Sequence, residues 1–153
     1  MKGHFPRASF GRRLAALCYD YLLACAVFML AHFLGFALLA LAIQLFPALL
    51  DGYPDQASFM RDQPLYSLYL MLCVLGFFLW FWTHGGQTLG MRAWRLKLQS
   101  QQGGPVSLKQ ALLRALCALL GAGTLGVLLG SRRLALQDRA SHTEVVLVDT
   151  PKP

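Results

Sequence analysis

The sequence predicts an all-α membrane protein with two full transmembrane helices, a glycine-rich third membrane segment and a small cytoplasmic two-stranded β element. Hydrophobic residues make up 56% of the 153 residues and charged residues only 14%, against roughly 25% charged in a soluble domain. The apolar residues collect in three stretches, at 14–46, 65–82 and 111–129. Basic residues flank these stretches, as at cytoplasmic membrane borders. We expect one membrane domain over residues 1–153.

The first apolar stretch is too long for one upright helix. As a helix, residues 14–46 would extend about 50 Å across a hydrocarbon core of roughly 30 Å. We therefore expect the span itself at about 19–46, with the preceding turns near the interface. A basic segment before an apolar run also resembles a signal peptide. Because Asp20 interrupts the run and apolar sequence continues well past Cys25, we expect a retained anchor.

The second span is predicted at about 65–83, and the loops on its two sides carry opposite charge. The loop before it holds three aspartates and one arginine, whereas the loop after it and the N-terminal segment are basic without an acid. The excess of lysine and arginine indicates a cytoplasmic N-terminus and an inner (plasma) membrane location with multiple passes. Trp80 and Trp82 close this span, where aromatic side chains favour the membrane interface.

The third membrane segment is predicted at about 108–130 and is interrupted by glycines. A full crossing would place Arg132, Arg133 and Arg139 outside, against the charge bias. A re-entrant or tilted segment keeps them inside, provided that protein or a wet cavity shields its broken backbone. The charge bias favours this second arrangement, which also leaves the C-terminus cytoplasmic.

Two strands are predicted next to the membrane segments. Residues 92–99 alternate apolar and polar side chains, and residues 143–148 are rich in valine, as is typical of strands. A single strand would leave its backbone groups unpaired, so we expect these two to pair with each other. Between them, glycines and a proline at 101–105 indicate a turn, and Ser107 with Gln110 has the spacing of a helix-starting capping box.

Asp20 is the first candidate functional residue, because an acid at membrane depth costs a few kcal/mol. It shares one helical face with Arg13 and with small residues, and such faces pack closely against other helices. One hypothesis makes Asp20 a protonatable or cation-binding carboxylate. The other makes it a structural ion-pair partner of Arg13, Arg114 or the Arg132–Arg133 pair.

Asp138 and Arg114 are the next candidates. Asp138 follows a group of arginines, which predicts either a cytoplasmic ion-pair network or a polar site shared with Asp20. Arg114 lies near the start of an apolar helix and could extend to the interface or meet Asp20. His32 lies within the first span, and a neutral, hydrogen-bonded side chain is the simpler interpretation.

The sequence lacks the residue patterns typical of nucleic acid binding, nucleotide binding, metal binding and catalysis. No basic run interleaved with aromatic residues favours nucleic acid binding. The glycines at 85–90 follow a membrane helix and lack the lysine of a phosphate loop. The cysteines form no metal or disulfide pattern, and no nucleophile or paired-carboxylate motif is present. We expect no catalytic residue, no metal, no cofactor and no enzyme activity.

Four sequence elements, spread from about residue 6 to 148, together resemble the RDD family of small bacterial membrane proteins, named for one arginine and two aspartates. They are an opening Arg–Asp pair, a central G-x-T-x-G, an arginine opening the third segment, and a closing arginine-rich element with aspartate and then threonine. The matching residues are Arg13, Asp20, Gly86, Thr88, Gly90, Arg114, Arg133, Asp138 and Thr143. Two positions depart: Met91 stands where the family usually has lysine, and Gln137 where it usually has histidine.

The resemblance implies a membrane location and, by suggestion only, transport. Our leading hypothesis is an oligomer that moves ions or small solutes, with Asp20 as the coupling carboxylate. The alternative is a non-transporting scaffold or accessory subunit whose buried charges are structural. A lipid- or envelope-modifying enzyme would need Asp20, Asp138 and His142 in one pocket. The expected partners are the lipid bilayer and further copies or other membrane proteins, with no nucleic acid.

Overall fold

The computed structural model describes residues 6–119 and 135–148. The helices are α1 (Phe10–Leu45), a short 3-10 helix (Pro47–Leu50), α2 (Gln56–Asp62), α3 (Pro64–His84), α4 (Leu89–Ala93), α5 (Leu108–Leu119) and α6 (Leu136–Ala140). The strands are β1 (Leu96–Ser100) and β2 (Thr143–Leu147). The fold is therefore mostly helical with one two-stranded sheet, as predicted.

Within residues 6–119 and 135–148, two helices, α1 and α3, are long and apolar enough to cross a membrane by length and composition. Their large apolar side chains are mostly exposed, among them Leu30 at 68% and Leu65 at 74%, as expected for surfaces that face lipid. Helix α1 starts at Phe10, so the turns expected near the interface continue the same helix without a break. Residues 120–130 of the predicted third segment lie outside the described residues.

The chain forms two compact units. The first contains the residues up to Leu22 and from Phe78 onward, and the second is Leu23–Phe77. In the second unit α1 and α3 meet at a glycine: a Cβ on Gly35 would lie 2.9 Å from Tyr66 Cε2. A 2.7 Å hydrogen bond joins His32 Nδ1 to the Tyr66 hydroxyl. The hydrogen-bonded histidine that the sequence predicts is therefore present.

The first unit is built around the sheet. Strands β1 and β2 pair antiparallel, with Leu98 opposite Val145, which confirms the predicted pairing. The N-terminal segment adds a short third edge, since Ala8 N donates to Val145 O at 3.0 Å and Leu147 N donates to Pro6 O at 2.9 Å. Sequence patterns did not indicate this edge. The core cluster comprises Ala8, Ala16, Met91, Leu96, Leu98, Val106, Ala111 and Val145.

The strand predicted to begin at Arg92 begins instead at Leu96. Thr88 caps α4 by accepting a hydrogen bond from Met91 N, and this cap starts a helical turn that runs to Ala93. Arg95 then takes a left-handed conformation, with φ of 54°, before the strand starts. The alternation of apolar and polar side chains therefore corresponds to a strand only from Leu96 onward. The strand prediction for residues 92–95 is wrong.

Candidate functional site

The central G-x-T-x-G motif connects the end of α3 to α1 and β1. Gly86, with φ of 69°, donates its N–H to Phe81 O at 3.0 Å and closes the end of α3. Its carbonyl accepts Leu98 N at 2.6 Å, and a Cβ at Gly86 would overlap the Leu98 carbonyl oxygen. The glycine is therefore required both by its backbone conformation and by the close approach of β1.

Asp20 lies against the same motif. Asp20 is 6% exposed, and Thr88 beside it is fully buried. The Thr88 hydroxyl donates to Asp20 Oδ2 at 2.5 Å, and the Gly90 backbone N–H donates to Asp20 Oδ1 at 3.0 Å. Asp20 on α1 thus satisfies a free N–H in the first turn of α4, the place where a helix start accepts negative charge.

Gly90 makes this approach possible. A Cβ at Gly90 would lie 2.5 Å from Ala16 O and 2.6 Å from Asp20 Oδ1. No side chain could occupy that position without pushing α4 away from α1. Within the motif, Thr88 and Gly90 therefore hold a turn of backbone against the Asp20 carboxylate, whereas Gly86 joins the end of α3 to β1.

Asp20 has no cationic partner among the described residues, where the ion pairs join Arg7 with Glu144 and two arginines with Asp138. The predicted ion pair of Asp20 with Arg13 or Arg114 is thus wrong. The reason is that Asp138, fully buried, attracts both guanidinium groups. Arg132 and Arg133, the remaining candidates, lie outside the described residues.

The second cluster is centred on Asp138 of α6. Arg13 Nη1 lies 2.5 Å from Asp138 Oδ2, and Arg114 Nη1 lies 2.5 Å from Asp138 Oδ1. The Ala135 backbone N–H also donates to Oδ2 at 3.2 Å. Burial by itself raises the pKa of Asp138, but the charges and hydrogen bonds of Arg114 and Arg13 outweigh burial and hold that pKa below its ordinary value. Asp138 is therefore an ionised structural acid at neutral pH.

This Asp138 cluster joins remote parts of the chain. Arg114 Nη1 donates to Thr143 Oγ1 at 3.2 Å, and Thr143 shares a 2.8 Å hydrogen bond with the Ser141 hydroxyl. Arg13 donates from Nε to Ala8 O at 3.3 Å and from Nη2 to Val145 O at 3.4 Å. The cluster thus ties α1, α5, α6 and β2 together. The sequence predicted that Asp138 would pair with its neighbouring arginines, but its ion pairs in the described residues are with Arg13 and Arg114.

Two contributors were missed by sequence reasoning. Ser141 is fully buried in the cluster, although nothing in the local sequence distinguishes it from a surface turn residue. Trp82 makes a cation–π contact with Arg114, whose guanidinium carbon lies 5.4 Å from the centre of the Trp82 ring. Its position at the end of α3 indicated an interface residue, and the pairing with an arginine follows only from the fold.

The described residues contain no group of three or more histidine, cysteine, aspartate or glutamate side chains that could hold a metal ion. His142 is exposed and takes a left-handed conformation, with φ of 52°. Its backbone carbonyl accepts a hydrogen bond from Gln101 N at 3.0 Å. Asp20 and Asp138 bind different partners: Asp20 accepts from Thr88 and Gly90, whereas Asp138 pairs with Arg13 and Arg114.

The described residues thus form a mostly helical protein with two apolar candidate membrane helices and two buried polar clusters. The model of the RDD family matches residues 7–142, most of the chain. The chain therefore belongs to the RDD family. Comparisons with curated proteins and with solved structures returned no match.

Proposed function

We propose that this protein moves ions or small solutes across the inner membrane as an oligomer, with Asp20 as the carboxylate that couples movement to a proton. The observation that carries this proposal is the contrast between the two buried aspartates. Asp138 is neutralised by two arginines, whereas Asp20 has two neutral donors and no cation among the described residues. A buried carboxylate that has hydrogen-bond donors but no cation is costly to keep ionised, so Asp20 is the acid that this proposal assigns to proton uptake.

The hydrogen bonds suggest how protonation acts. The ionised carboxylate accepts from both Thr88 and Gly90. A neutral carboxylic acid is a weaker acceptor, and its own O–H must find an acceptor. Proton uptake therefore weakens the contact between α1 and the start of α4. Loss of that contact gives the protein two conformations with different proton occupancy, as coupled transport requires.

Several further features belong to the proposal. The lysine and arginine bias supports a cytoplasmic N-terminus, sheet and C-terminus. Oligomerisation, with copies of itself or other membrane proteins, belongs to the proposal because the two candidate spans of the described part of the chain enclose little space for a pathway. The absence of any nucleophile or paired-carboxylate motif favours a protein without enzyme activity. Reporter fusions after Asp55 and after Lys152 test the orientation, and we expect outside and inside respectively.

The alternative is a scaffold or accessory subunit that transports nothing. One observation favours it: the Asp20 carboxylate binds the Gly90 N–H in the first turn of α4, as a purely structural helix cap would. In that case Asp20, like Asp138, only fixes the fold. The two hypotheses predict different results for Asp20→Asn, which replaces the acid with a neutral residue of the same shape. Transport predicts a folded but inactive protein, and the scaffold hypothesis predicts loss of stability or assembly.

The test uses purified protein in liposomes that enclose a pH dye, with pulses of sodium, lithium or potassium. Wild type is compared with Asp20→Asn, with empty liposomes, and with Asp51→Asn, which neutralises an exposed acid in the loop between the spans. We expect a cation-dependent pH change in wild type and Asp51→Asn that is absent from Asp20→Asn of unchanged gel-filtration profile. A signal retained in Asp20→Asn would remove the coupling role. No signal from wild type would remove cation/proton exchange and favour the accessory role.

A further inference from the structure

Helix α5 has its apolar face turned away from the protein. Its inward side consists of Ala111, Arg114 and Ala115, which are 0%, 6% and 7% exposed. Its outward side carries four leucines, here called the leucine face: Leu108, Leu112, Leu113 and Leu116, which are 57%, 38%, 47% and 60% exposed. At 100° per residue these leucines share one side of the helix. A helix on a water-facing domain shows the reverse arrangement.

One contact shows which part of α3 lies beside α5. The Arg114 guanidinium carbon lies 5.4 Å from the centre of the Trp82 ring, and Trp82 is two residues before the end of α3 at His84. Tryptophans near the ends of membrane spans favour the headgroup level. The middle of α5 therefore lies beside the end of α3, at the depth where a bilayer changes from acyl chains to headgroups.

Charge on the same side of α5 fits this depth. Lys109 is exposed and, at 100° per residue, lies among the leucines in the first turn of the helix. A lysine in this position extends its ammonium group toward lipid phosphates while its methylene stem covers apolar surface. Arg92 and Arg95, near the end of α4, are exposed as well. Exposed cations of this kind are attracted to an anionic membrane surface.

We propose that α5 is an interfacial helix, with its leucine face among the acyl carbons nearest the headgroups of an anionic bilayer and Lys109 at the phosphates. Interfacial helices of this kind bury one apolar face by about 5–10 Å. Helices α1 and α3 also expose large apolar side chains, as surfaces that face lipid do. The position leaves Arg114 on the protein side, where it binds Asp138 away from lipid. This proposal does not depend on the proposed transport function.

The test measures the depth of a fluorescent label on single cysteines. The chain's four cysteines are replaced by serine or alanine, and one cysteine is introduced in place of Leu112 or of Leu116. The protein is reconstituted in vesicles of phosphatidylglycerol and phosphatidylethanolamine. Quenching is compared between lipids with a doxyl group at a shallow or a deep acyl position and aqueous iodide. Gln102→Cys, in the exposed turn after β1, is the aqueous control, and Leu72→Cys, exposed in the middle of α3, is the deep control.

We expect labels at positions 112 and 116 to be quenched several-fold more by the shallow lipid than by the deep lipid, and little by iodide. Deep quenching like that at position 72 would overturn the interfacial position in favour of a crossing helix. Iodide quenching like that at position 102 would overturn lipid contact. Protection from all three quenchers would mean that protein, such as a second copy, covers the leucine face, and this would also overturn the proposal. Gel filtration selects variants that fold.

Discussion

Arg13 and Asp20 lie two helical turns apart on one face of α1, yet Arg13 forms its ion pair with Asp138 of α6 and not with Asp20. The arginine therefore neutralises an acid 125 residues away in sequence, while the nearby acid takes neutral donors from the G-x-T-x-G motif. The two signature aspartates of the family thus have different chemistry in this chain. One is a compensated structural charge, and the other is a buried carboxylate on which our proposal of transport depends.

Thr88 is expected to stabilise the fold through two hydrogen bonds. Its hydroxyl donates to Asp20 and accepts from Met91 N at 3.1 Å. Thr88→Val removes the cap and leaves a buried carboxylate short of a donor, so we expect a loss of about 2–4 kcal/mol. Thr88→Ser keeps the hydroxyl and should lose much less. Thermal unfolding in detergent measures both, and equal losses in the two variants would contradict the role of the hydroxyl.

Gly90→Ala tests the close approach of α4 to α1. The added methyl group would lie 2.5 Å from Ala16 O, so we expect destabilisation of about 1–3 kcal/mol by overpacking. Gly76→Ala is the matched control, because a Cβ there meets nothing within 4 Å. Alanine also favours a helix over glycine, so the control should be neutral or slightly more stable. A Gly90→Ala variant as stable as wild type would show that the contact yields easily.

The Asp138 cluster should dominate polar stability. Arg114→Leu leaves a buried charge with one partner fewer, and we expect a loss of about 3–5 kcal/mol. Arg7→Ala removes the partly exposed pair with Glu144 and should cost at most about 1 kcal/mol. Chemical denaturation in detergent compares the two. A larger effect at Arg7 than at Arg114 would contradict the cluster's importance.

Acid should weaken the same cluster. Because Arg114 and Arg13 hold the pKa of Asp138 below its ordinary value, the unfolded chain binds a proton more readily than the folded one. The stabilisation is then fully present above the unfolded value of about 4 and is lost as pH falls through the lower folded value. Unfolding temperature measured against pH should fall in this window for wild type and fall less for Asp138→Asn. Identical slopes would contradict the assignment.

Much of the fold could be predicted because it depends on local pattern. The exposed and buried sides of α1 follow from the spacing of Arg13, Ala16 and Asp20, all of which are buried. The predicted cap at the start of α5 is present, with Gln110 N donating to Ser107 Oγ at 3.3 Å and Ser107 N donating to Gln110 Oε1 at 3.0 Å. Each of these features is set by residues within one or two helical turns.

The site was harder to predict because its partners are distant in sequence. Sequence spacing cannot tell whether Arg13 pairs with Asp20 on its own helix or with Asp138 on another helix. Either acid could lie beside Arg13, depending on how the chain folds. Similarly, residues 92–95 carry the alternation of a strand, but Thr88 and Asp20 supply donors and acceptors that favour a helical turn there. Tertiary hydrogen bonds decided both cases.

The most direct test of Asp20 as a coupling carboxylate is infrared difference spectroscopy of the protein in lipid, recorded as pH is cycled between acid and neutral with and without sodium. We expect a protonated carboxyl band in wild type and in Asp51→Asn that is missing from folded Asp20→Asn and that weakens when sodium is added. Identical difference spectra for wild type and Asp20→Asn would contradict the proposal. Asp20 would then keep one protonation state throughout, as a structural residue of the contact between α1 and α4.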